Sequence, residues 1–139
     1  MKVMVIVKAT PASEAGVLPT EAEFAAMGSF NEELVKAGIM LAGDGLHPTS
    51  RGHRVVYSGA APRVIDGPFA ETRELIAGFW LWQVRSMDEA LEWIKRAPFG
   101  PNDAVELRQV YAYEDFGDAL TPELRAREER LREQIGQQD

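Results

Sequence analysis

The chain has 139 residues, a net charge of −7 and no cysteine, and 45% of its residues are apolar. This length and composition predict one globular domain with a core, and they exclude a disordered chain. Without cysteine there are no disulfides, thiolate nucleophiles or iron–sulfur clusters. An acidic chain lacks the clustered basic residues of a nucleic-acid partner, and no apolar run near the N-terminus is long enough for a bilayer or a signal sequence. We expect a cytoplasmic protein that contacts neither nucleic acid nor membrane.

The first third of the chain predicts a strand, a loop and a helix. Residues 1–8 form a nearly continuous run of apolar and β-branched residues, as in a strand covered on both faces. Residues 9–19 contain two prolines and are predicted as a loop. Thr20 and Glu23 have the spacing of a capping box, and apolar residues then recur at helical spacing until a glycine suited to end a helix. We therefore predict a helix over residues 20–37.

The middle of the chain predicts four strands. They cover residues 39–46, 53–58, 63–66 and 75–84, and a turn at 59–62 joins the second and third into a hairpin. The last of these strands is the most apolar segment of the chain, with two tryptophans on one face and a phenylalanine and a leucine on the other. A strand with two apolar faces is either central or has one face at an interface.

The last third predicts a helix, a strand and a polar helical extension. A second capping box begins at Ser86, and a proline ends the helix that follows it. Residues 104–113 alternate as in a strand. A helix rich in charged residues is predicted from Thr121, either solvated or clasping a partner subunit, with partner binding as the alternative. We therefore expect a domain over residues 1–113 and an extension over 114–139.

The order of these elements predicts the architecture. Two βαβ halves around an antiparallel sheet are the ferredoxin-like arrangement, so we predict an α+β fold with a C-terminal helix added. Helices on one face of such a sheet leave the other face bare. Because an apolar sheet face of that size is normally covered, we expect a homodimer whose two sheets pack face to face.

A nine-residue motif carries a family resemblance. Residues 66–74 read DGPFAETRE and resemble the DGPFAETKE signature of the DGPF branch of the YCII-related proteins. Three further stretches fit the same pattern: FNEEL at 30–34, LAGDGL at 41–46 and DEALEW at 88–93. The resemblance covers about residues 1–113. It implies a dimeric α/β-barrel built from ferredoxin-like subunits, in agreement with the fold predicted from the elements.

The resemblance implies less about activity. Many DGPF proteins have no assigned function, some are encoded near extracytoplasmic-function sigma factors, and others in the wider group resemble a dehydrochlorinase of a chlorinated hydroxyquinol. That group is credited with a catalytic His–Asp pair. The histidine belongs on the first helix, where this chain has Met27, and the aspartate precedes a Pro-aromatic step, where it has Ala97. The His–Asp mechanism therefore does not carry over.

The DGPF segment supplies most of the candidate site residues. In the structural interpretation, Asp66 begins a turn and the Phe69 side chain packs in the core. In the functional interpretation, Asp66 is a buried carboxylate with a raised pKa that acts as a general base. Glu71 and Arg73 belong to the family motif, which favours a polar pocket. Arg73 is either a clamp for a carboxylate or phosphate, or one half of a surface ion pair.

Histidine and tryptophan give the remaining candidates. His47 either lines the mouth of a pocket, where it would titrate near neutral pH, or is solvated. A metal site with His53 is disfavoured, because the six-residue spacing is not a recognised ligand pattern, and we predict no metal and no cofactor. Trp80 is predicted either in the core or stacked on a ligand ring.

These residues support two functions of different classes. The first is a pocket between the sheet and residues 66–74 that binds a small aromatic or anionic ligand, with Asp66 as base, Glu71 as acid or second base, and Arg73 and His47 as orienting groups; Phe69 and Trp80 would contact the ligand. The alternative is a non-catalytic regulatory or partner-binding dimer linked to a sigma factor. The sequence leaves open whether the protein is an enzyme.

Overall fold

Strands and helices follow one another along the chain largely in the predicted order. The computed structural model describes residues 1–71 and 73–136; Thr72 of the DGPF motif and the last three residues of the extension lie outside the described residues. Its strands and helices are β1 (Lys2–Lys8), α1 (Pro11–Glu14), α2 (Glu21–Lys36), β2 (Met40–Gly45), β3 (His53–Ser58), β4 (Ala61–Asp66), β5 (Ile76–Gln83), α3 (Met87–Ile94), β6 (Val105–Gln109) and α4 (Pro122–Gly136). Two 3₁₀ helices cover Thr49–Arg51 and Tyr113–Ala119.

The main sheet is antiparallel and has four strands. Their order is β2-β5-β1-β6, so the first and third strands of this sheet along the chain lie at its centre. This is the predicted ferredoxin-like order, and the α+β fold with an antiparallel sheet and a C-terminal helix is confirmed. The hairpin of β3 and β4 forms a separate two-stranded sheet.

One face of the main sheet forms the core with α2 and α3. Val3 of β1 lies opposite Trp82 of β5, and Val5 lies opposite Trp80, so these four side chains share a face. All four are buried, together with Phe30, Leu34 and Ala90 of the two helices. Of the two positions predicted for Trp80, in the core or stacked on a ligand ring, the structure shows the first.

The other face of the sheet is apolar and points away from these helices. Met4 pairs with Leu81 and Ile6 pairs with Phe79, and all four side chains are partly exposed. The sequence left open which aromatic residues would lie on this face. Register decides it, because β5 is placed so that its tryptophans face α2 and α3.

Local capping explains why the helix starts were predictable. The Thr20 hydroxyl accepts a hydrogen bond from the Glu23 amide at 3.2 Å, and the Ser86 hydroxyl accepts one from the Glu89 amide at 3.1 Å. The Glu23 carboxylate differs from the usual capping box: it accepts from the Thr20 hydroxyl, at 3.2 Å, instead of from the backbone amide. Gly38 follows α2 with a φ of 73°, as a helix-ending glycine requires.

The larger differences from the prediction include those at α1, β4 and β6. The segment predicted as a loop contains α1, because Thr10 and Ser13 cap each other reciprocally. β4 begins at Ala61 and so includes Pro62, which a two-stranded ribbon tolerates because each of its strands has a free edge. β6 ends at Gln109, before the predicted end at residue 113, and a 3₁₀ helix follows.

The chain divides into two compact units, Met1–Gln109 and Val110–Asp139. In the second unit, Arg125 of α4 contacts the Glu114 and Glu129 carboxylates at 3.3 and 3.1 Å, and its guanidinium lies 5.1 Å from the centre of the Tyr113 ring. These contacts fasten the 3₁₀ helix to α4. The domain boundary predicted at residue 113 stays a prediction. Among the described residues, no helix has the length and apolar character needed to cross a membrane.

Replacing a core residue of α2 tests which face of this helix is buried. Leu34 is fully buried and its neighbour Val35 is 61% exposed. We expect Leu34→Ala to lower the free energy of unfolding by about 2–5 kcal/mol, because it removes apolar contacts and leaves a cavity. Val35→Ala should cost less than about 1 kcal/mol. Equal costs in urea denaturation would contradict this assignment of the helix faces.

Candidate functional site

The DGPF segment and the loop after β2 line a pocket of about 400 Å³ that is open to solvent. Its lining comes from three stretches of the chain: residues 46–54 apart from Ser50 and His53, Phe69 of the motif, and residues 74–76 at the start of β5. Leu46, Phe69, Leu75 and Ile76 supply apolar surface, while His47, Arg51, Arg54 and Glu74 supply polar and charged groups. A concave apolar surface with a few polar groups is the usual form of a small-molecule site.

Thr49 connects the parts of the chain that form this pocket. Its hydroxyl donates to Glu14 Oε2 at 2.6 Å, and its amide donates to Glu14 Oε1 at 3.1 Å. The same hydroxyl oxygen accepts a hydrogen bond from the Phe69 amide at 3.1 Å. One side chain therefore holds α1, the 3₁₀ turn and the DGPF segment together.

Gly67 allows the DGPF segment to approach this turn closely. Its amide donates to the Gly52 carbonyl at 2.9 Å. A Cβ atom at Gly67 would overlap the carbonyl oxygen of Thr49, which is backbone and has little freedom to move. Steric contact therefore requires glycine at this position of the motif, whatever the conformation of the turn.

Arg54 and Glu71 form an ion pair at the pocket. Arg54 Nη2 lies 3.1 Å from Glu71 Oε2, and the guanidinium carbon lies 3.8 Å from the centre of the Phe69 ring. The hydrogen bond from Arg54 is the largest cause that lowers the pKa of Glu71, followed by a backbone hydrogen bond and the charge of Arg54. The carboxylate therefore stays ionised at neutral pH and serves to hold Arg54 over the Phe69 ring.

His47 and Arg51 lie together on another part of the lining. Arg51 Nη1 is 3.4 Å from both His47 ring nitrogens. An atom at equal distance from both nitrogens and in the ring plane would collide with Cε1, so the guanidinium lies over the face of the imidazole. In this position it leaves the in-plane directions of both nitrogens available to another group.

Asp66 and Arg73 lie outside this lining. Asp66 Oδ1 is 2.8 Å from His53 Nδ1 at the base of the hairpin, and the two side chains are 80% and 63% exposed. Arg73 is exposed. The structure therefore brings His47 and Phe69 of the predicted site residues to the pocket, with Glu71 held at its side through Arg54. It does not bring Asp66 or Arg73 there.

Trp80 lines a different cavity, of about 320 Å³, between α2 and the main sheet. Three glycines of β2 and β5 leave the space for it: Gly43, Gly45 and Gly78. The Trp80 indole N–H donates to Asn31 of α2 at 2.9 Å, and Phe99 packs edge-on against the indole with ring centres 6.1 Å apart. Met27 lines the cavity, while Ala97 packs against the core. The positions to which the resemblance assigned a catalytic His and Asp therefore carry apolar side chains, Met27 at this cavity and Ala97 against the core.

Sequence reasoning missed three residues of the first pocket. Thr49, Arg51 and Arg54 lie in a short polar stretch that was predicted as loop and strand. No periodicity or spacing distinguishes them from ordinary surface residues. Only the folding of the DGPF segment against this turn gives them a common environment. Within the described residues, no group of three or more His, Asp or Glu side chains is arranged to hold a metal ion.

Comparison with known proteins identifies the family. Residues 1–114 match the YCII-related domain. The chain belongs to this family. An uncharacterized protein of Rhizobium meliloti (strain 1021) is 35% identical to this YCII-related domain over 69 residues, which are 50% of this chain and 56% of that protein. The chain thus spans little more than half the length of this curated relative.

A solved structure was also found to be similar to this YCII-related protein. It is the 5-chloro-2-hydroxyhydroquinone dehydrochlorinase of Burkholderia phenoliruptrix AC1100, in complex with 2,5-dihydroxybenzoquinone. The two chains are 15% identical and align with a TM-score of 0.41, over 82% of this chain and 98% of that one.

The Arg54–Glu71 ion pair leads to a prediction about the pKa of Glu71 and the stability of the fold in acid. In Arg54→Gln we expect the pKa of Glu71 to rise toward its ordinary value, because the variant loses the largest cause of the lowered pKa. The pKa is measured by NMR titration of the Glu71 side-chain carboxyl carbon. A carboxylate with a lowered folded-state pKa stabilises the fold above its ordinary pKa, and this contribution is lost as the pH falls. The wild type should therefore lose more stability on acidification than the variant.

The control uses a matched ion pair elsewhere in the domain. Arg85 is hydrogen-bonded to Glu89 and is the largest cause that lowers the pKa of that residue. Arg85→Gln should raise the pKa of Glu89 and leave the pKa of Glu71 unchanged. If the pKa of Glu71 stays low in Arg54→Gln, the ion pair is not its cause.

Proposed function

We propose that this YCII-related protein binds a small aromatic or anionic ligand in the pocket beside its DGPF segment. The observation that carries the proposal is the convergence of three chain segments on this pocket, with an apolar wall on one side and His47, Arg51 and Arg54 among its polar groups. Thr49 fixes two of these segments to each other before any ligand arrives. A site that is already formed binds without an ordering cost, which favours a binding role for it.

Membership of the DGPF branch is part of this proposal. The resemblance of residues 66–74 to the branch signature supports it, and so does the steric need for glycine at position 67. We also propose a cytoplasmic location, which suits a chain without cysteine.

Acid–base catalysis is a further part of the proposal, and the three predicted catalytic residues have different roles in it. His47 lines the pocket, so it is the group that would touch a ligand and transfer a proton. Glu71 would act through Arg54, which lines the pocket, whereas Asp66 contacts His53 outside the lining and would only hold the start of the DGPF segment in place. On this proposal Glu71 is a positioning residue, since its lowered pKa disfavours proton transfer near pH 7.

The binding proposal is tested by a thermal-shift screen with the two histidines as matched variants. The library contains small carboxylates, phosphorylated metabolites and phenols. A ligand at about ten times its Kd should raise the unfolding midpoint of the wild type by about 4 °C, because it binds only the folded state. We expect His47→Ala to lose most of this increase. His53→Ala should keep it, because His53 lies outside the pocket lining.

Two outcomes would contradict the binding proposal. One is the absence of any stabilising compound across the library with a well-folded wild-type protein. The other is a stabilising compound whose effect is unchanged in His47→Ala and whose amide shifts in an NMR titration map away from residues 46–54 and 69–76. The second outcome would direct attention to the cavity beside Trp80.

The open sheet face favours a second proposal, a homodimer. Met4, Ile6, Phe79 and Leu81 form an apolar surface on the side of the sheet that faces away from α2 and α3. Contiguous apolar surface of this kind marks an interaction site, and a two-fold symmetric dimer would bury this face against the same face of a second copy. Such a dimer is also the basis of the alternative function, a regulatory module linked to a sigma factor.

A charge placed on this face should separate the two subunits. We expect the wild type to sediment at about twice the chain mass of 15.4 kDa and Leu81→Lys to sediment as a monomer. Val64→Lys is the control, because Val64 is 62% exposed on the hairpin and away from the main sheet. A wild-type protein that is monomeric at micromolar concentration in analytical ultracentrifugation would disprove the dimer and leave the binding proposal untouched.

A further inference from the structure

We propose that the pocket beside the DGPF segment selects a small aromatic monocarboxylate, which Arg51 and His47 bind through its carboxylate group. This inference rests on the proposed function, since it names the ligand class of the same site. It assigns the anion-binding role to Arg51, whereas the sequence suggested Arg73.

The partners of the basic residues distinguish their roles. Arg54 is paired with Glu71 at 3.1 Å and stacked on Phe69, so its charge is already compensated. Within the described part of the chain, Arg51 has no carboxylate within 4.0 Å, and its neighbour is the neutral or cationic His47 ring. An arginine beside a histidine with no acidic partner lacks a compensating charge, and a ligand carboxylate would supply it through charge-assisted hydrogen bonds.

The number of charges around the pocket limits the ligand to a single negative charge. Glu74 also lines the pocket, and its side chain is 81% exposed with only a 4.0 Å approach to Lys8. This carboxylate repels additional negative charge. With the charges of Arg54 and Glu71 cancelling, Arg51 is the cation left for the ligand. A carboxylate therefore fits better than a phosphate, which carries nearly two charges at neutral pH.

The apolar wall indicates a flat ring next to the carboxylate. Leu46, Leu75 and Ile76 line the pocket beside the basic groups, and the Phe69 ring is covered on one face by Arg54. A pocket of about 400 Å³ is at the small end of the range for ligand sites and suits a compound with one ring. Contact with this wall would add affinity that a bare anion does not gain.

The test compares three probes: benzoate, its neutral analogue benzamide, which has the same size, and inorganic phosphate, which has more negative charge and no ring. Each is titrated into the full chain while the backbone amides are followed by NMR. We expect benzoate to bind most tightly and to shift the amides of residues 46–54 and 69–76. In Arg51→Gln, benzoate affinity should fall about tenfold, because a hydrogen-bonded charge pair is lost, while benzamide affinity stays the same.

Two further variants complete the experiment. Arg63→Gln removes the same charge from an exposed position of β4 outside the pocket lining, and benzoate affinity should be unchanged. His47→Gln should weaken benzoate by a smaller factor than Arg51→Gln. An unperturbed amide spectrum in the free variants shows that they are folded.

The possible failures are distinct from those of the proposed function. Equal affinity for benzoate and benzamide, tighter binding of phosphate, or a benzoate affinity that Arg51→Gln leaves intact would overturn the monocarboxylate inference while binding in the pocket stands. If benzoate does not bind, the inference is overturned as well. The proposed function itself fails only if the wider library also gives no ligand at residues 46–54 and 69–76.

Discussion

The side chain of Thr49 is the interaction on which the candidate site depends. Its hydroxyl donates to Glu14 and accepts from the Phe69 amide, and its amide donates to the other oxygen of the same carboxylate. Each of these bonds joins chain segments at least 20 residues apart. Because the bonds are partly shielded from water, they hold the DGPF segment against the 3₁₀ turn more firmly than surface contacts would. Gly67 completes the arrangement, since a larger residue would push the two segments apart.

The same arrangement decides which charges are available to a ligand. Phe69 is fixed by Thr49, and Arg54 stacks on its ring while Glu71 neutralises its charge. Arg54 thereby becomes part of the wall, and Arg51 is left facing the pocket with His47. Under the proposed function, this pocket would favour singly charged over doubly charged ligands, because Arg54 is already paired and Glu74 adds a negative charge to the lining. The charge pattern is thus a consequence of how the backbone is held.

Most of the fold could be predicted from local patterns along the chain. The capping side chains of Thr20 and Ser86 mark the true starts of α2 and α3, because a cap is formed by residues three positions apart. The alternation in β5 predicted two apolar faces, but not which of them would be buried. That choice depends on register with β1, which places Trp80 and Trp82 against α2 and α3 and leaves Phe79 and Leu81 outside. α1 was missed because its short reciprocal cap lies in a segment rich in proline.

The candidate site could be predicted only in part, and the reason is the range of the interactions. The sequence by itself determined the fold class, the family and the position of the DGPF segment, since these depend on short patterns and on a nine-residue motif. It also pointed to His47 and Phe69, which do line the pocket. Only the tertiary structure decided that Asp66 pairs with His53 and that Arg51 and Arg54 border the same pocket. Asp66 and His53 lie on different strands, and Arg51 and Arg54 share a pocket only because their stretch folds against the DGPF segment. A pattern along the chain carries no information about which distant segments will meet once the backbone has folded.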